Sequence, residues 1–206
     1  HNAFLPLTAN APIQSSNLLF ESRAGANPRL WAVNPDSDTV SVFDAVTLAK
    51  LAEITVGTAP RTLALTPSGA EVWIVNKRSA SISIVSAASL TVTQTVALPR
   101  ASQPYGIAMA SAPGAALVAL EGSGALLRLD LASRATTATL AVGANPRHLA
   151  VAADGRTAFV SRFITPPLPG ESTSSVQTML GGVAVGGEVV VVDSASMTAL
   201  RTVALA

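Results

Sequence analysis

Residues 56–86 read VGTAPRTLALTPSGAEVWIVNKRSASISIVS, which is three short runs rich in Val, Ile, Leu and Thr with turn residues between them. The turns are Pro67-Ser68-Gly69 and the polar segment that follows Asn76. Runs of this kind, bounded by Gly, Pro, Asn and Ser, predict short antiparallel strands. A fourth run, Thr91 to Leu98, completes a unit of four strands.

The unit recurs along the chain. Its third strand ends in closely related phrases at residues 42–44, 84–86, 128–130 and 191–193, and Trp31 and Trp73 stand 42 residues apart. A four-stranded sheet of this length cannot bury both faces alone, so such a period predicts the blades of a β-propeller. We therefore predict an all-β chain of four-stranded antiparallel blades at about 17–57, 58–99, 100–143 and 144–206, after an N-terminal extension or linker at 1–16.

The composition limits the classes of partner and cofactor. The chain is 49% hydrophobic and carries a formal charge of +1, with its 13 Lys and Arg scattered, which argues against nucleic acid as a partner. It has no cysteine, which excludes disulfides, thiolate metal sites and covalent c-type haem attachment. Since no apolar stretch approaches the roughly 18 residues that span a bilayer, we predict no transmembrane segment.

The copies also carry a family resemblance. Val56-Gly57-x-x-Pro60-Arg61, followed by Thr66-Pro67-Ser68-Gly69 and Val72-Trp-Ile-Val-Asn76, resembles the YVTN family of β-propeller repeats, and the opening recurs at Val142-Gly143-Ala-Asn-Pro146-Arg147. The resemblance implies a ring of about seven blades and an extracytoplasmic location, whether periplasmic, secreted or at the cell surface. Such repeats occur in surface-layer proteins, in binding proteins and in the propeller parts of redox enzymes. The third copy departs from the pattern, with Glu121 where Asn76 stands in the second.

Four blades would fill only part of such a ring. An arc of four would leave sheet faces and edges exposed to water. We therefore predict that another protein chain, further sequence or self-association supplies the remaining blades. A closed ring of four blades is the alternative.

The residue after each blade-opening proline is expected at the mouth of the central channel. This places Arg61, Tyr105 and Arg147 there, with His148 beside them, while Arg29 follows a similar Asn-Pro but can instead lie in an inner hairpin. Guanidinium groups present forked donors that suit a carboxylate or a phosphate, so we predict a binding site for an acidic group. The alternative is that each Arg bonds backbone carbonyls between blades, and that His148 is a structural imidazole.

Three further features are candidates for chemistry. Asp36 and Asp38 could begin a calcium site, although paired carboxylates in a hairpin are commonly solvated turn residues. A loop insertion at about 165–187 could cover the channel, meet another domain or be a mobile surface excursion. His1, as a true mature terminus, could chelate copper, but a cleavage boundary explains it more simply.

No catalytic motif accompanies the repeats. The chain lacks a Gly-rich phosphate loop, a Gly-x-Ser-x-Gly elbow and carboxylates at a catalytic spacing, so we expect no cofactor within it. Two hypotheses follow. The first is a non-catalytic extracytoplasmic propeller that acts as a binding or structural module through the mouth face. The second is the propeller portion of a larger redox enzyme whose metal, haem or quinone centre lies outside this chain.

Overall fold

A computed structural model of the protein describes residues 13–111, 114–163, 178–180, 183–185 and 187–205. Within these ranges every regular element is a β-strand, and each strand pairs antiparallel with its neighbours. The predicted all-β architecture of four-stranded antiparallel blades is confirmed. His1 and most of the predicted insertion at 165–187 lie outside the described residues.

The four blades follow one another in chain order, after a short first strand, Ile13–Gln14 (β1). The first blade consists of Leu18–Glu21 (β2), Arg29–Asn34 (β3), Thr39–Asp44 (β4) and Lys50–Thr55 (β5). The second consists of Pro60–Leu65 (β6), Glu71–Asn76 (β7), Ser81–Ser86 (β8) and Thr91–Ala97 (β9). The third consists of Pro104–Ala110 (β10), Ala115–Leu120 (β11), Ala125–Asp130 (β12) and Thr136–Ala141 (β13).

The fourth blade is interrupted by a hairpin. Its strands are Pro146–Val151 (β14), Thr157–Phe163 (β15), Gly187–Asp193 (β18) and Thr198–Leu205 (β19). The hairpin between β15 and β18 pairs Thr178–Leu180 (β16) with Val183–Val185 (β17). The predicted insertion therefore contains a small antiparallel pair of its own.

The recurring phrase at the end of the third strand is explained by the turn that follows it. The carboxylate of Asp44 accepts hydrogen bonds from the backbone N–H groups of Val46 and Thr47, at 2.9 and 2.8 Å. Asp130 and Asp193 bond the N–H groups two and three residues further on in the same way. A short acceptor side chain at this position thus fixes the tight turn from the third strand into the outermost strand.

The blades pack face to face through three buried apolar clusters. Trp31 and Val42 of the first blade meet Leu63 and Ile74 of the second. Trp73 of the second blade contributes to the cluster shared with the third, and a third cluster joins the third and fourth blades. Full burial of one such aliphatic side chain contributes roughly 1.5–3 kcal/mol, so each interface between blades stabilises the fold through several such side chains.

The stacking runs from the first blade to the fourth without closing. None of the buried clusters formed by the described residues joins the first blade to the fourth. The outer face of the first blade is correspondingly exposed: Leu18 is 52% accessible, while Leu63, at the same register position in the second blade, is 1% accessible. The described residues therefore form an arc of blades.

The segment at residues 13–17 crosses the inner side of this arc. Ile13 pairs with Val151 on the innermost strand of the fourth blade, and the Ser16 carbonyl accepts the N–H of Leu63 in the second blade at 3.0 Å. The Asn17 carbonyl accepts the N–H of Val33 in the first blade, also at 3.0 Å. Because inner strands expose backbone groups along their free edge, the segment satisfies groups that would otherwise face the channel.

Candidate functional site

The mouth residues are positioned by an unusual turn before each opening proline. Residues 59, 103 and 145, which precede Pro60, Pro104 and Pro146, have left-handed backbones with φ of 54°, 48° and 55°. Left-handed geometry is uncommon for residues other than glycine and often accompanies binding sites. The turn places the next residue of each blade, namely Arg61, Tyr105 and Arg147, at the same level of three adjacent sheets.

The structure brings these predicted residues together around one ring. The guanidinium carbons of Arg61 and Arg147 lie 5.9 and 5.3 Å from the centre of the Tyr105 ring. The His148 ring meets it edge to face, with centroids 5.2 Å apart. The ammonium of Lys77, which the sequence analysis did not place in the site, lies 5.5 Å from the same centre. Tyr105 is thus the hub of a cationic mouth.

A second row of residues completes the mouth, and the sequence comparison misaligned it by one position. Pro60 pairs with Asn76 and Pro104 pairs with Leu120, so Leu120 rather than Glu121 is the counterpart of Asn76. Lys77, Glu121 and Phe163 occupy the equivalent position in the second, third and fourth blades. In each blade the N–H of this residue donates to the carbonyl of the left-handed residue before the opening proline. In the sequence, these residues could have been found as the position that directly follows the second strand of each blade.

Glu121 ties three blades together. Its Oε1 accepts a hydrogen bond from Nε of Arg147 at 2.8 Å and lies 2.7 Å from Nη2 of the same guanidinium in an ion pair, and its Oε2 is paired with Lys77. Burial raises the pKa of the Glu121 carboxyl, but the hydrogen bonds from Lys77 and Arg147 outweigh it and hold that pKa below its usual range. The carboxylate is therefore ionised at neutral pH and locks the second, third and fourth blades at the mouth.

The Arg147 side chain is paired with a carboxylate and packs against aromatic rings. Besides its bonds to Glu121, its guanidinium carbon lies 4.0 Å from the centre of the Phe163 ring and faces Tyr105 on its other side. The charge of Arg147 is therefore compensated within the protein by the Glu121 carboxylate. The two arginines that were predicted to be equivalent, Arg61 and Arg147, thus have different surroundings.

Arg61 has no such partner. Within the described part of the chain no carboxylate forms an ion pair with it, and its buried Nε lacks a hydrogen-bond partner. It lines a cavity of about 380 Å³ together with Tyr105, His148 and the polar side chains of Ser15, Ser16, Asn17 and Thr62. The crossing segment thus forms part of the wall of this mouth cavity, which combines one unpaired cation with several small hydrogen-bonding groups.

His148 contributes a neutral ring. Partial burial, followed by the positive charge of Arg147, lowers the pKa of its imidazole. Its Nδ1 lies 3.5 Å from the Ser15 hydroxyl, which itself accepts the N–H of Leu149 at 2.8 Å. The imidazole is therefore available in the cavity as a neutral donor or acceptor.

The other candidates occupy different surroundings. The Asp38 carboxylate accepts the backbone N–H of Ala59 at 2.7 Å, so it supports the turn that positions Arg61. Asp36 is exposed, and no cluster of three or more His, Cys, Asp or Glu side chains occurs among the residues with described positions. Arg29 donates to the carbonyl of Ala87 at 2.5 Å and lies 3.7 Å from Glu21, which links the first blade to the second away from the mouth.

The mouth brings several kinds of recognition group together. Forked guanidinium donors, an ammonium, an aromatic face and hydroxyl groups converge on it, and these groups recognise anions and aromatic rings. In the described ranges, no helix has the length and apolar character needed to cross a membrane.

Comparisons with known proteins agree with this architecture. No family model and no curated protein matches the chain. Among solved structures, Kuenenia stuttgartiensis hydrazine synthase is similar, with a TM-score of 0.69 and 21% identity over 86% of this chain and 46% of that chain. The dihydro-heme d1 dehydrogenase NirN, in complex with DHE, has a TM-score of 0.60 and 13% identity over 93% of this chain and 38% of that chain. The chain spans less than half the length of either structure, and at these identities the likeness establishes the β-propeller fold alone.

Proposed function

We propose that this chain is a non-catalytic binding module whose channel mouth holds an anionic group of a ligand or partner protein. One observation carries the proposal. The Arg61 guanidinium lines the mouth cavity without a carboxylate partner in the described part of the chain, and its buried Nε makes no hydrogen bond. A buried donor without a partner costs free energy, which a bound anion would recover.

The charge balance of the mouth supports the same proposal. Arg61, Lys77 and Arg147 surround Tyr105, while Glu121 is the single carboxylate bonded to this group of cations in the described structure. The excess positive charge attracts anions and raises their local concentration at the mouth. The aromatic hub next to Arg61 favours an anion attached to a flat group, such as a benzoate.

Calorimetric titration with benzoate tests the proposal. We expect Arg61→Ala to weaken benzoate binding by about tenfold or more, since a hydrogen bond to a charged group contributes roughly 1.5–3 kcal/mol. Arg201→Ala is the matched control, because Arg201 is an exposed arginine on the outermost strand of the fourth blade. Equal binding by the Arg61 variant, or no binding by the unmodified protein, would contradict the proposal.

The second candidate is the propeller portion of a larger redox enzyme. It is favoured by the names of the two similar structures, a hydrazine synthase and a dihydro-heme d1 dehydrogenase, and by the fact that this chain spans under half of each. Purification of the natural full-length protein decides between the candidates. Visible absorbance of a haem, copper or quinone centre would favour the enzyme, and its absence after purification under non-denaturing conditions would favour the binding module.

Further blades, from another protein chain or additional sequence, are part of the proposal. Leu18 and Phe20 on the outer face of the first blade are 52% and 40% accessible, which is costly for a face built from large apolar side chains. We infer that the repeats are of the YVTN type, that the location is extracytoplasmic and that the completed ring has about seven blades. Light scattering measures the mass of the protein in solution, and its solubility is compared with that of the Leu18→Ser and Phe20→Ser variants. A monomeric protein whose solubility these substitutions leave unchanged would argue that the outer face of the first blade needs no cover.

A further inference from the structure

A second cavity, of about 250 Å³, opens on the other side of Arg61. Three of the residues that line it are cationic, namely Arg61, Lys77 and Arg78, and none is acidic. The remaining lining residues are Ala59, Ala101 and Gln103, all of which have left-handed backbones with φ between 48° and 61°. Small side chains at two of these positions leave the space between the cations open.

The positive charge of this cavity is poorly compensated from within. Arg61 and Arg78 form no ion pair with any carboxylate in the described residues. Lys77 is paired with Glu121, but that carboxylate is shared with Arg147. Like charges held near one another repel, so the cavity retains about two uncompensated charges that a bound anion would neutralise.

Backbone hydrogen bonds fix the main chain that carries these cationic side chains. The N–H of Lys77 bonds the Ala59 carbonyl at 2.9 Å, and the N–H of Arg78 bonds the Thr58 carbonyl at 3.1 Å. These bonds fasten the loop after the second strand to the turn before Pro60, and the carboxylate of Asp38 supports that turn from the first blade. The backbone of the cavity is thus fixed within the protein, while the exposed Arg78 side chain lies at its solvent side. A fixed backbone reduces the entropy lost on binding.

We infer that the ligand recognised at this mouth carries a phosphate group, and that the phosphate occupies the cavity between Arg61, Lys77 and Arg78. A carboxylate carries one charge and two acceptor oxygens. A phosphate monoester carries about 1.5–2 negative charges at neutral pH and three terminal acceptor oxygens, which matches three converging cations and about two uncompensated charges. The inference rests on the proposed function, because Arg61 is shared between this cavity and the mouth cavity.

Calorimetric titration with phenyl phosphate, inorganic phosphate and benzoate tests the inference. We expect phenyl phosphate to bind at least tenfold more tightly than benzoate. Arg78→Glu should weaken phenyl phosphate by about tenfold and change benzoate binding by less than twofold, whereas Arg78→Lys should retain most of the affinity. Arg201→Glu is the control of equal charge change on a distant exposed strand.

The outcomes separate the inference from the proposed function. Phenyl phosphate affinity that is unaffected by Arg78→Glu overturns the inference, while benzoate binding that still depends on Arg61 leaves the proposed function standing. Absence of binding by all three probes overturns both. Inorganic phosphate that binds as tightly as phenyl phosphate would identify free phosphate as the ligand, and weaker binding would identify a phosphate ester.

Discussion

Arg147→Ala is expected to destabilise the protein although the Arg147 side chain is partly exposed. The substitution removes the hydrogen bond from Nε to Glu121 at 2.8 Å, the ion-pair contact of Nη2 with the same oxygen at 2.7 Å, and the contact with the Phe163 ring at 4.0 Å. Lys77 would remain as the other partner of Glu121. The buried carboxylate of Glu121 would therefore lose one of its two cations.

The magnitude follows from these contacts. A hydrogen bond between charged groups contributes roughly 1.5–3 kcal/mol, and the lower end applies because the Arg147 side chain is 29% exposed and Lys77 still compensates Glu121. A cation–π contact at an exposed ring adds about 0.5 kcal/mol. The expected loss in the free energy of unfolding is therefore about 2 kcal/mol, which lowers Tm by about 4–8 °C in a chain of this length.

Thermal unfolding followed by circular dichroism measures this loss. Glu121→Gln and the double variant complete a mutant cycle, in which we expect a coupling of about 1.5 kcal/mol between the two side chains. Arg61→Ala provides the contrast, because Arg61 forms no ion pair in the described structure and its loss is expected to shift Tm by less than about 2 °C. An Arg147→Ala protein that melts with the unmodified chain, together with zero coupling, would refute the structural role of the Glu121 bridge.

Three further predictions concern packing, turns and pH. Gly106→Ala should cost about 1–3 kcal/mol in urea unfolding, because its Cβ would lie 2.1 Å from the Arg147 carbonyl oxygen, and an unchanged free energy of unfolding would contradict this close approach. Asp130→Ala should destabilise the protein by about 1 kcal/mol through loss of the turn hydrogen bonds, and Asp130→Asn, which keeps an acceptor oxygen, should retain most of that stability. Identical melting temperatures for the two variants would argue against a stabilising role of these hydrogen bonds. Because the folded protein holds the pKa of the Glu121 carboxyl below its usual range, the contribution of this carboxylate to stability is complete above that range and is lost as the pH falls through the lowered folded pKa. Acid unfolding of Glu121→Gln should therefore show a smaller pH dependence in this window, and superimposable curves would count against it.

Much of the fold could be predicted because it is written in local patterns. Alternating apolar residues and turn residues recur with the blade period, and each third strand ends in an acceptor side chain that fixes the following turn. The same repeat predicted the level of Arg61, Tyr105 and Arg147, since equivalent positions of equivalent blades lie at the same end of the sheets. These features depend on interactions within a few residues or within one hairpin.

The functional state of the mouth residues depended on tertiary structure. Sequence comparison treated Arg61 and Arg147 as equivalent. Glu121, which follows the second strand of the third blade, and Phe163 in the fourth blade contact Arg147 and not Arg61. The one-residue error at Glu121 has a similar origin, because the register of the first two strands in each blade sets which side chain reaches the mouth. A pattern read along one chain cannot reveal which residue of the next blade will approach it.

The sequence by itself determined the propeller, its strand order and the level at which the cationic residues lie, because period, turn chemistry and alternation are local properties of the chain. Only the tertiary structure decided that Arg147 is paired with Glu121, that Arg61 lines two cavities and that residues 13–17 cross the inner side of the arc. The physical reason is that free charge and free hydrogen-bonding groups are defined by what surrounds them. Those surroundings are assembled from blades that are distant in sequence.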